Sequence, residues 1–272
     1  MRRQQCMILP ALLLAVLVLS SCAAEDHYPL GTAGSINGKT VILSIFADDT
    51  ESAWDFEKEE DLDRYWDCRY RLADAVYYLQ TRVEEYGGNA EFIYDWQEDP
   101  SLAWTVHFDE KLVSPDGEKG GLQAEWLKNF FDPDEQRKKY GADNVIYIFY
   151  FNTPPENTVK PWAISRHNST ESPMEMINIY VGYDGEYAEP AVYAHEILHL
   201  FGAPDFYMAG ELIPEAYVQH LEATGSNDIM FKVSKGRKIL NSFTETDAYY
   251  LGLLDTCPDA EKWGLGKSEH LK

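Results

Sequence analysis

The chain has 272 residues, with 46 Asp and Glu against 23 Lys and Arg and a formal net charge of −23. Hydrophobic residues make up 45% and aromatic residues 14%, enough for a packed core, which rules out wholesale disorder. The acid excess argues against nucleic-acid binding and against a polybasic attachment to membranes, since both need clustered Lys and Arg.

The N-terminus opens with Met1-Arg2-Arg3, and Met7 to Leu19 is an almost unbroken apolar run. A basic start, a short apolar stretch and small residues after it form a secretory signal, not a membrane span. The ending Leu19-Ser20-Ser21-Cys22 resembles the bacterial lipobox. That resemblance implies that residues 1–21 are removed and that Cys22 carries lipid. It places the protein at the bacterial cell surface, touching the membrane through its anchor only. The alternative is a plain signal with an incidental Cys. Residues 22–39 are expected to be a tether. Cys68 and Cys257 then remain, as a disulfide or as two buried thiols.

Thr40 to Ala47 is a β-rich run and predicts a strand. Leu62, Tyr65, Trp66, Leu72, Val76, Leu79 and Val83 recur at helical spacing and predict a helix from Asp61 to Tyr86, stopped by Gly87-Gly88. Ala90 to Trp96 and Ala103 to Phe108 read as strands, and Pro115 to Gly121 as a loop. Leu122 to Tyr140 reads as helical with a break near Pro133. Asn144 to Phe151 is a buried strand and Met176 to Tyr183 another. Glu189 to Phe201 is a helix with Pro190 in its first turn. Five strands interleaved with helices predict an α/β sandwich. Ala203 to Asn241 reads as irregular, and Thr244 starts a last helix through Leu254. The domain reading is one lobe over 40–202 and a smaller one over 203–272.

His195-Glu196-Ile197-Leu198-His199 lies inside the Glu189–Phe201 helix. Positions i and i+4 share a helix face, so both imidazoles can reach one ion, and Glu196 is offset toward an ion-bound water. The string continues to Gly202 and Asp205, giving His-Glu-x-x-His-x-x-Gly-x-x-Asp. Gly202 can end the helix sharply, and a carboxylate three residues on is an acceptable zinc ligand.

This string resembles that of the metzincin zinc peptidases, in the variant with Asp as third ligand found in snapalysin-like members. Met230, 31 residues after His199 in Ser226-Asn227-Asp228-Ile229-Met230, resembles their Met-turn. The resemblance implies a two-lobed catalytic domain with a twisted, mostly parallel five-stranded sheet, a backing helix and a zinc helix, followed by a small irregular lobe. It implies Zn²⁺ held by His195, His199 and Asp205, Glu196 as general base, Gly202 and Met230 as structural parts of the site, and a peptide or protein as substrate. It also implies that Ile177-Asn178-Ile179-Tyr180 edges the cleft and pairs with substrate. The chain departs from the pattern at Lys232, where some members carry a Tyr that stabilises the oxyanion.

Two other ligand maps are open, with Glu222 as a gluzincin-type third ligand or Asp228 as an aspzincin-type one. A zinc-containing surface binding lipoprotein without hydrolytic activity is the alternative of a different class. Removal of the signal takes Arg2 and Arg3, leaving 21 basic against 46 acidic residues and a charge of −25. Anionic headgroups would repel such a surface, and basic peptides would be drawn to it.

Overall fold

β1 (Gly38–Asp48) is the hub of the sheet because its two edges carry three partners. Its first half pairs in parallel with β2 (Ala90–Ile93), and its second half, on the same edge, with β3 (Ala103–His107). The other edge takes β6 (Asn144–Thr153) from Thr40↔Asn144 to Ala47↔Phe151, again in parallel. β6 pairs in parallel with β8 (Met176–Gly182), and β8 in turn pairs antiparallel with β7 (Ala163–Arg166). The five expected strands are therefore the five parallel ones, and β7 is a sixth. In this computed structural model residues 33–114, 117–118, 120–153, 163–166, 174–182 and 188–271 are described. The signal, the lipobox and Cys22 lie outside that set.

β7 changes the expected edge. The Ile177–Tyr180 segment lies inside β8, between β6 and β7, and its residues are buried. The sheet ends at β7, whose Ala-Ile-Ser-Arg sequence is too short to stand out as an apolar run. β4 (Val113–Ser114), just before the expected Pro115–Gly121 loop, pairs antiparallel with β5 (Gly117–Glu118) inside it.

The tether also ends earlier than expected. Ala33 and Ile36 are fully buried, and the Asn144 amide links Gly34 N–H to the Ser35 carbonyl at 2.9 and 2.8 Å. The chain is thus packed into the fold from residue 33.

α1 (Glu59–Glu85) turns Cys68, Leu72, Ala75, Val76, Leu79 and Val83 to the sheet, a three-and-four spacing that makes one buried stripe. Gly87 ends it at φ +79°. The expected helical segment before β6 is two helices, α2 (Gly120–Phe130) and α3 (Pro133–Tyr140). Pro133 ends the first by its missing N–H, and Asp132 caps the second by accepting Asp134 N–H at 2.8 Å. α4 (Pro190–Leu200) packs against α1, and Tyr193 on α4, Tyr150 on β6 and Phe46 on β1 form a run of adjacent rings. Arg71 of α1 pins the start of α4, bonding Asp67 at 2.8 Å and Glu189 at 2.7 Å.

The region after Gly202 is less irregular than expected. It contains α5 (Glu215–Thr224), α6 (Glu245–Tyr250) and α7 (Pro258–Trp263). α5 is amphipathic only through Tyr217, Val218 and Leu221, one short stripe among acids. The last expected helix starts at Thr244 as predicted but ends at Tyr250, four residues short of Leu254. Cys68 and Cys257 are free, buried thiols, so the disulfide alternative is set aside. No helix among the described residues is long and apolar enough to cross a membrane.

Candidate metal centre

The two histidines are carried by α4 one turn apart. The helix ends as the sequence demands: Gly202 sits at φ +98°, its N–H donates to the His199 carbonyl at 3.0 Å, and Ala203 N–H donates to Leu198 at 3.1 Å. This pair of bonds closes the helix end and turns the chain back beneath its own last turn. Asp205 arrives there three residues later.

Each imidazole is oriented from behind. His195 Nδ1 lies 2.9 Å from the Ile229 carbonyl oxygen and His199 Nδ1 2.7 Å from that of Ala203. A carbonyl oxygen only accepts, so each Nδ1 carries the proton and each Nε2 presents a lone pair. The two Nε2 atoms are 3.0 Å apart, and Asp205 Oδ1 is 3.2 Å from both. Three possible ligand atoms therefore surround one point, and Asp205 Oδ1 is buried with no hydrogen-bond partner. Such an arrangement could hold a metal cation. Ligand atoms about 2.0–2.1 Å from a tetrahedral Zn²⁺ lie about 3.3 Å from one another, close to the spacing found.

Burial opposes ionisation of Asp205, but the two imidazoles outweigh it and hold its carboxyl well below the usual range. Burial likewise disfavours charge on His199; the contact with Asp205 and the nearby charge of Glu196 overcome it and raise that histidine. Glu196 is buried at 7% exposure beside this point. Met230 is fully buried, and its carbonyl accepts Phe206 N–H at 2.8 Å, which ties the turn to the loop carrying Asp205.

Among the described residues, His195, His199 and Asp205 form the one group able to hold a metal. The rival ligands are not brought there. Glu222 is exposed on α5, and Asp228 is occupied by Met230 N–H and the Thr244 hydroxyl, each at 2.8 Å. Lys232 is exposed.

Sequence reasoning missed Tyr207. Its ring lies nearly parallel to that of His195, with centroids 6.4 Å apart. Its phenol is pushed up by burial, by the charge of Asp205, by a hydrogen bond to Asp205 and by the charge of Glu196, so it keeps its proton. The only available signal was its place two residues after Asp205. The Ile229 and Ala203 carbonyls were also invisible, because backbone acceptors leave no mark in a sequence. No protein-family model matches the chain, and no curated protein matches it in sequence.

Proposed function

We propose that this chain is a zinc-dependent endopeptidase, exported and held outside the membrane by lipid on Cys22. The observation that carries the reading is the triangle of His195 Nε2, His199 Nε2 and Asp205 Oδ1, with sides of 3.0, 3.2 and 3.2 Å, next to the buried Glu196. Three protein ligands fit a catalytic zinc, which keeps one position open, better than a structural one, which is closed by four. When bound, zinc supplies Lewis acidity toward a scissile carbonyl and makes water acidic enough to lose a proton near neutral pH.

The side chains then have separate tasks. His195 and His199 hold the ion, each fixed by its backbone carbonyl, and Asp205 closes the third position. Glu196 accepts the proton of the attacking water and delivers it to the departing amine. Tyr207, which keeps its proton and lies beside His195, donates to the oxygen that becomes negative at the transition state. Among the described residues β7 ends the sheet, and such an edge is suited to pairing with an extended peptide. The net charge favours basic substrates at low salt.

The test is zinc content together with cleavage of a denatured protein mixture, with and without chelator. One zinc per chain and chelator-sensitive cleavage are expected. Bound zinc with no cleavage would instead make the chain a zinc-containing surface binding protein. Labelling by lipid, lost on Cys22→Ser, checks the anchor.

A further inference from the structure

Two buried acids stand behind the metal centre, outside its ligand set. Asp228 is 1% exposed and Asp247 fully buried. Asp228 Oδ1 accepts Met230 N–H at 2.8 Å, and its Oδ2 accepts the Thr244 hydroxyl at 2.8 Å. That hydroxyl is also 3.3 Å from Asp247 Oδ2, which accepts Thr244 N–H at 2.6 Å. The two carboxyls thus meet around one threonine.

Two carboxylates in such contact inside a protein do not both ionise. The donors decide which does. Asp228 takes Met230 N–H and the Thr244 hydroxyl on its two carboxylate oxygens, and both favour its charge. Asp247 is buried beside that charge and has one oxygen with no partner. Burial and the Asp228 charge hold its carboxyl well above the usual range, so it keeps its proton.

We propose that Asp228 and Asp247 are positioning residues of the metal centre, a carboxylate and a carboxylic acid that together hold the Ile229–Met230 turn against His195. The connection is short. Asp228 fixes Met230 N–H, the Ile229 carbonyl of the same turn receives His195 Nδ1, and the Met230 carbonyl receives Phe206 N–H beside Asp205. Through Asp228, α6 thereby bears on the tautomer of His195 and on the loop that carries Asp205. The assignment to a metal site rests on the reading above.

The titratable groups that interact with both acids are Tyr78 and Tyr86 of α1 and Tyr217 of α5; Arg82, Glu85, Glu245 and Asp259 in turn face those tyrosines. Arg82 is paired with Glu85 at 2.7 Å. Because Asp247 holds a proton in the folded chain that the unfolded chain releases, its contribution is complete at low pH and is lost as pH rises through its folded value.

The test compares Asp247→Asn with Asp228→Asn in the intact protein. Asn mimics a protonated acid, keeping a donor toward Asp228, but turns the Asp228 acceptor into a donor facing donors. Zinc affinity is measured by competition with a coloured chelator from pH 6 to 10. The His195 tautomer is read by nitrogen NMR in the metal-free chain.

Asp247→Asn should keep parental zinc affinity and an Nδ1-protonated His195, and should lose the parent's fall in affinity at high pH. Asp228→Asn should bind zinc about 10–100-fold more weakly, the usual cost of losing an outer-shell partner, and mix its His195 tautomers. Parental affinity and tautomer in Asp228→Asn would overturn the proposal. So would an Asp247→Asn chain as impaired as Asp228→Asn. If Asp228→Asn does not melt cooperatively, Thr244→Val replaces it: weaker zinc binding is expected, restored in Thr244→Ser, and unchanged binding overturns the proposal. A parent chain that binds no zinc refutes the metal reading, while the His195 tautomer still decides the role of the pair.

Discussion

The candidate metal ligands on the two sides of Gly202 are placed by different means. His195 and His199 are set by the periodicity of α4, a local property that four residues of sequence specify. Asp205 and Tyr207 sit on a loop with no such repeat. That loop is held by distant backbone: Phe206 N–H on Met230, and the Leu212 carbonyl under the Tyr250 hydroxyl at 3.0 Å. Half of the centre is thus a helix face, and the other half exists only once the C-terminal region has folded against it. Damage to the first half should be chemical and confined. Damage to the second should act through distance.

The largest effect expected on the helix side is Glu196→Gln, with zinc content unchanged and turnover lowered by about 10²–10⁴-fold. Full cleavage by that variant would remove Glu196 from its role. Tyr207→Phe, on the loop side, should keep zinc and lower kcat by about 10²–10³-fold with little change in KM. A change in KM alone would make the phenol a substrate contact instead.

Asp205→Ala should weaken zinc binding by more than the roughly 10–100-fold that an outer-shell loss costs, with α4 intact by circular dichroism. Equal zinc content would move the third ligand elsewhere. Gly202→Ala, at the junction, should cost about 1–2 kcal/mol by chemical denaturation, because φ +98° disfavours a Cβ. The smallest effect is in thiol labelling. Burial pushes Cys68 up to about 12, so it should stay unreacted in the folded protein at pH 8. Cys257, in the region held by point contacts, should be labelled first; the reverse order would make the α1 side the looser one.

What the sequence revealed follows the same division. The strands Thr40–Ala47 and Asn144–Phe151 were legible because the centre of a parallel sheet is buried on both faces and must be apolar throughout. α1 was legible from its single stripe, and the zinc helix from a spacing that few other arrangements need. β7 was not, since an edge strand of four residues carries no periodic signal. α5 was hidden because three buried side chains among acids make a weak pattern. At the site, the three residues that come together, His195, His199 and Asp205, could be named in advance, yet Tyr207 and the two orienting carbonyls could not. Their placement depends on where the chain returns in space, and no short-range rule encodes that return.

The topology of the sheet also has a consequence in time. β1 cannot complete its pairing until residue 151 has joined it, and β6 remains open along one edge until Met176–Gly182 arrives. Parallel pairings this distant in sequence form slowly. The third ligand waits longer still, for Met230 and the segment that packs beneath it. A chain built in this order assembles the His195–His199–Asp205 triangle late, which suits the exported peptidase proposed above: it would cross a membrane before its site is complete.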